Sequence, residues 1–131
     1  MKPPDYKRKT QEWFKQAVYD MKTAEALFRS GKHVYVVFMC HLSIEKALKG
    51  LYARNIEGVP PRTHNLIYLI EKSKLELPDR FYDFIFTLNG LSVPTRYPDD
   101  LRKQLKEYTR AKTSKVLSQS KEVLTWLKAR L

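Results

Sequence analysis

The chain has 131 residues, 43% of them hydrophobic and 30% charged, with a formal net charge of +11 at pH 7. That length suits one domain whose core buries roughly two-thirds of the unfolded surface without disulfide or metal staples, and the composition is that of a globular protein rather than a disordered one. The charge favours an anionic partner: RNA, a nucleotide or an acidic protein surface.

The first predicted helix runs from Thr10, as N-cap, to about Ser30, with Gly31 as its stop. Trp13, Phe14, Ala17, Met21, Ala24, Leu27 and Phe28 recur at helical spacing and make one apolar stripe. The second helix, about Lys32 to Glu57, is the most hydrophobic. Val37, Cys40, Ile44, Ala47, Leu48 and Leu51 form one face, and Tyr35, Phe38, Leu42 and Ala53 form a second strip. Two strips imply contact on two sides: the core, and either another helix or a second subunit. The β-branched run at 34–38 reads locally as strand, but it continues into Ile44-Glu45-Lys46-Ala47-Leu48-Lys49, which favours helix.

Pro60 and Pro61 make a loop, and Thr63 is the expected N-cap of a short third helix carrying Leu66, Leu69 and Ile70. A fourth helix starts near Pro78, points Phe81, Phe84, Ile85 and Leu88 inward, and is expected to end near Asn89-Gly90. The segment 92–107, broken by Pro94 and Pro98, reads as irregular. A final helix from near Thr109 carries Val116, Leu117, Ser120, Val123, Leu124 and Leu127 inward. With no strands, repeats or linker predicted, the expectation is one all-α domain over residues 1–131, an antiparallel up-and-down bundle of four or five helices.

The N-terminus has basic residues but no apolar stretch behind them, so no secretion signal is expected. The longest apolar run, Val34 to Cys40, falls far short of the roughly 20 residues a membrane span needs. Cys40, the one cysteine, fits a buried thiol in a reducing cytoplasm. From Leu101 onward nine bases face only Glu107 and Glu122, which is either a solvated face or a nucleic-acid contact.

Three groups of residues have chemical potential. His41, Glu45 and Lys49 lie four apart on the second helix and line up along one face. They make either an ordinary helix-surface ion pair beside an imidazole, or a polar row that holds a phosphate or relays a proton. His64, beside Thr63 near a helix start, is either a structural bridge or a general base. Arg96-Tyr97-Pro98-Asp99 is the most distinctive cluster: a guanidinium fork for phosphate and a ring for a base, or an internal ion pair with Asp99 or Asp100. His33, His41 and His64 lack metal-ligand spacing, so neither metal nor cofactor is expected.

Taken in order, these pieces resemble the HEPN family (higher eukaryotes and prokaryotes nucleotide-binding domain). The residues that carry the likeness are Trp13-Phe14 with Ala17 and Asp20, Tyr35, and Ile44-Glu45-Lys46-Ala47-Leu48-Lys49. They continue through Pro61-Arg62-Thr63-His64-Asn65-Leu66, Arg96-Tyr97-Pro98-Asp99 and a closing helix with Trp126. The resemblance implies a helical bundle of about five helices, commonly a homodimer, with a separately encoded minimal nucleotidyltransferase as partner in a two-component or toxin–antitoxin arrangement. Catalytic members cleave RNA with an arginine separated by four to six residues from a histidine. After Arg96 those positions hold Leu101, Arg102 and Lys103, and none of them exchanges a proton near neutral pH as histidine does.

The leading expectation is therefore a non-catalytic module that dimerises and binds a nucleotide, RNA or nucleotidyltransferase. Arg96 and Tyr97 are its candidate phosphate and base contacts, Lys46 and Lys49 additional cations, and Glu45 and Asp99 supporting acids. One alternative is a metal-independent ribonuclease using His41 or His64; another is a protein-binding antitoxin or scaffold.

Overall fold

A computed structural model of the chain describes residues 5–96 and 101–131. Among these described residues are six α-helices: α1 (Tyr6–Arg29), α2 (His33–Ile56), α3 (Leu66–Lys72), α4 (Asp79–Ser92), α5 (Leu101–Glu107) and α6 (Arg110–Lys128). A single 3-10 turn, Val93–Arg96, follows α4, and no strand occurs among the described residues.

α1 and α2 form an antiparallel hairpin turned at Gly31, whose φ of 76° suits a residue without a Cβ. The two helices approach closely at Gly50, where an added Cβ would stand 3.0 Å from both Trp13 and Phe14. Two hydroxyls fasten the contact: Thr10 Oγ1 donates to the Gly50 carbonyl at 3.0 Å and Ser43 Oγ to that of Ala17 at 2.6 Å. Thr10 is therefore buried inside α1 and is not its N-cap. Asp5 caps the helix instead, accepting from the Arg8 amide.

α2 is the central element, packed by α1, α3, α4 and α6. Its predicted face of Val37, Cys40, Ile44, Ala47, Leu48 and Leu51 is wholly buried, as are the inward residues expected for α4 and α6. The second strip divides: Ala53 is buried, Phe38 and Leu42 are half-buried, and Tyr35 is exposed.

Three further features differ from expectation. Asn65 rather than Thr63 caps α3, its Oδ1 accepting from the Ile67 and Tyr68 amides. α4 runs through Asn89-Gly90 to Ser92, because glycine weakens a helix without breaking it and the chain meets no proline until Pro94. The segment expected to be irregular contains α5, bound back by Gln104 Nε2 to the Pro94 carbonyl (2.8 Å) and by Tyr108 Oη to the Leu91 carbonyl (2.6 Å). No helix among the described residues is long and apolar enough to cross a membrane.

Candidate functional site

Four-residue spacing on α2 stacks His41, Glu45 and Lys49 one above the other. The row is not on the surface: the three residues are 1%, 3% and 9% exposed. The reading of an ordinary helix-surface ion pair is corrected here, since α3, α4 and the 3-10 turn close over this part of α2. A carboxylate so placed needs partners, and Glu45 has several. Lys49 Nζ lies 3.2 Å from Oε2, while His64 Nδ1 lies 2.8 Å and Arg96 Nη2 3.9 Å from Oε1.

The hydrogen bonds assign the protons. Arg96 Nη2 donates to His41 Nδ1 at 2.8 Å. Because guanidinium has no lone pair to offer, Nδ1 is the acceptor and the His41 proton sits on Nε2. Nε2 in turn faces Asn89 Oδ1 at 3.4 Å. The Asn89 carbonyl oxygen also accepts from the Leu66 amide at 3.1 Å, and its Nδ2 faces Asn65 Oδ1 at 3.4 Å. Burial, reinforced by the Arg96 charge, pushes the His41 imidazole down from 6.5 to about 4, so it is neutral at physiological pH. Both its nitrogens are occupied.

His64 is arranged oppositely. Its side chain is 66% exposed, and its Nδ1–H donates to the Glu45 carboxylate. That bond places a proton on Nδ1 and leaves Nε2 as the nitrogen that Glu45 does not engage. His64 and His41 line one cleft of about 270 Å³ with Asn65, Asn89, Val93 and Arg96. The Arg96 guanidinium lies over Phe38, with Cζ 4.8 Å from the ring centroid, so this cation has an aromatic floor and is aimed by His41 and Glu45.

The fold thus brings His41, Glu45, His64 and Arg96 into direct contact, with Lys49 bound to the far oxygen of Glu45. Lys46 lies elsewhere, 2.9 Å from Asp20 on α1. Tyr97 and Asp99, with the expected Arg96 pairing to Asp99 or Asp100, fall outside the described residues. Asn89 and Phe38, expected only at a helix end and on an apolar strip of α2, also contact the cluster. Asn89 left one signal, an amide four residues after Ile85 on the apolar stripe of α4. No group of three or more His, Cys, Asp or Glu side chains among the described residues is arranged to hold a metal ion.

A helical bundle in which a buried acid and imidazole of the central helix meet a guanidinium from the 3-10 turn after α4, beside one small cleft, is an all-α module with a polar cluster at its heart. The HEPN domain model matches residues 10–130, and the chain belongs to that family. It is similar to the crystal structure of TT1696 from Thermus thermophilus, with a TM-score of 0.79 and 20% identity over 94% of this chain and 98% of that one. ST0689, described as an archaeal HEPN homologue, is similar with a TM-score of 0.74 and 24% identity over 93% and 97% of the two chains. At these identities the likeness establishes the shared fold. No curated protein matches the chain.

Proposed function

We propose that the chain is a HEPN-type module that binds the phosphate of a nucleotide or RNA in the Arg96 cleft, without catalysing its turnover. The observation that carries this reading is the setting of Arg96. A guanidinium 20% exposed, floored by Phe38 and fixed by His41 and Glu45, lines a cleft together with polar Asn65, Asn89 and His64. Such a fork meets phosphate with its geometry already set. The neutral His41 adds no competing charge and offers no free lone pair. In this reading the module works as a cytoplasmic homodimer and meets a minimal nucleotidyltransferase. The exposed Leu101 on α5 and half-exposed Val93 on the 3-10 turn support a covered face.

Arg96→Ala should weaken mononucleotide and short-RNA binding by at least about tenfold, the loss of one charge-assisted contact, with the helical circular-dichroism signal retained. Unchanged affinity by titration calorimetry would overturn the reading.

A second reading rests on one specific contact. His64 Nδ1–H on the buried Glu45 leaves Nε2 as the nitrogen available to a ligand, on a ring that lines the cleft together with Arg96, so an arginine and a histidine absent as a linear pair converge in space. Nε2 would take the proton of a ribose 2′-hydroxyl while Arg96 holds the phosphate that hydroxyl attacks; as the P–O2′ bond forms the P–O5′ bond breaks, leaving a 2′,3′-cyclic phosphate and a 5′-hydroxyl whose proton comes back from Nε2. RNA incubated with the protein in EDTA should then be cleaved, and His64→Ala should abolish the cleavage; equal cleavage by both proteins rules His64 out.

A further inference from the structure

The bundle is electrically polarised along its length. The C-terminal end of α1, the N-terminal end of α2, the C-terminal end of α4 and the start of α6 come together at one end. Arg110 stacks over Phe28 at 4.8 Å, and Tyr108 bonds to Leu91. α5 bridges this end and ties back to the turn that carries Arg96 through Gln104 and Pro94. Lys32, Lys103, Lys106, Arg110, Lys112 and Lys115 are all exposed here. The described acids nearby are Glu107 and Glu25, and Glu25 is engaged 3.5 Å from Lys121. In sequence, Asp99 and Asp100 precede α5. Among the described ion pairs, none involves Lys32, Lys103, Lys106, Lys112 or Lys115.

The opposite end interleaves Asp5, Glu12, Glu57, Asp79 and Asp83 among its bases. Mutual repulsion of like charges opposes gathering cations at one end, and a surface serving only solubility mixes both signs. The basic end also presents a ring: Tyr35, 57% exposed, stands on the first turn of α2, three residues from the Phe38 floor of Arg96. Residues so spaced are neighbours on a helix surface. Cations strung away from a phosphate cleft, beside an exposed aromatic, are the parts that hold an extended polyanion with unstacked bases.

We infer that this end of the bundle is the docking surface of a single-stranded RNA. One of its phosphates occupies the Arg96 cleft, its neighbouring phosphates run over α5 and the start of α6, and a base stacks on Tyr35. The inference rests on the phosphate role of Arg96 and deepens it: the ligand is a polymer, not a mononucleotide. An acidic protein would satisfy the cations but would leave Tyr35 without a flat partner.

The test compares AMP with fluorescent RNA oligonucleotides of about 4 and about 12 nucleotides, within the range of known single-strand site sizes, across a salt series. The proteins are wild type, Arg96→Ala, Tyr35→Ala and the triple variant Lys103→Gln/Lys106→Gln/Lys112→Gln. Every substitution but Arg96→Ala is at an exposed side chain, and thermal melting confirms the fold. Wild-type affinity should rise with RNA length. The triple variant should bind AMP normally, lose at least about tenfold on the longer RNA, and show a salt slope shallower by roughly 2, near 0.7 per phosphate contact. Tyr35→Ala should cost roughly tenfold on RNA. Length-independent affinity, a wild-type salt slope in the triple variant, or poly-glutamate of equal charge binding as tightly as RNA would each overturn the docking surface. Arg96→Ala binding AMP as tightly as wild type would instead strike the cleft reading beneath it.

Discussion

Two arginines in this bundle have nearly the same immediate surroundings. Arg96 lies 4.8 Å over Phe38 and 3.9 Å from Glu45; Arg80 lies 4.2 Å over Phe81 and 3.3 Å from Glu122. By distance alone the second is the tighter assembly. Burial reverses the order. Arg80 and Glu122 are 71% and 56% exposed, so water screens their attraction and the side-chain ordering cancels much of it. The Glu45 side chain is 4% exposed and shares one carboxylate among Lys49, His64 and Arg96, in surroundings where an unpaired charge is costly. Proximity makes a contact, but the solvent around it and the number of partners decide what it is worth.

The sharpest way to break this comparison is to truncate the two acids in parallel. Glu45→Ala leaves Lys49 and Arg96 without their buried counter-charge and should cost about 3–5 kcal/mol of stability. Glu122→Ala should stay within about 0.5 kcal/mol. Urea unfolding of both variants measures the gap, and equal losses would refute the role assigned to burial.

A somewhat smaller effect should appear with pH. An unfolded histidine takes its proton near 6.5, whereas folded His41 takes it only near 4. Between those values the unfolded chain binds a proton that the native chain refuses. The His41 contribution is therefore fully present above pH 6.5 and is lost as pH falls towards 4, by up to roughly 3 kcal/mol. His41→Gln should flatten that part of the stability profile; parallel profiles for mutant and wild type would contradict the buried, neutral imidazole.

The helices themselves were largely readable because each carries its own stripe. Phe81, Phe84, Ile85 and Leu88 repeat at helical spacing whatever they pack against, and they are buried as that pattern requires. The ends were harder to read. Thr10 and Asp5 are both good caps by residue type, and what decides between them is the Gly50 carbonyl, forty positions away, which claims the Thr10 hydroxyl. Thr63 and Asn65 compete in the same manner, and only the observed amide bonds favour Asn65. α5 was missed because its register is set by long-range ties, Gln104 to Pro94 and Tyr108 to Leu91, rather than by an apolar stripe.

The site divides along the same line. Glu45, His41 and Lys49 could be grouped from spacing along one helix, and Arg96 stood out between prolines. Their depth could not be read, because it comes from the covering elements rather than from α2. Nor could the convergence of His64 and Arg96 on one carboxylate oxygen, nor the proton arrangement that follows from it. Both depend on how α4 and the loop before α3 meet α2.

The Leu66 amide illustrates what that meeting does. It begins α3, where a backbone N–H ordinarily lacks a helical partner, and it is bound by the Asn89 side chain of α4, the same oxygen that faces His41. Its solvent exchange is therefore governed by docking between two helices rather than by fraying within one. This single amide works as a gauge in the wall of the cleft: its protection tracks how tightly the wall is shut, and loosens when His41 or Asn89 gives way, even if every helix remains intact.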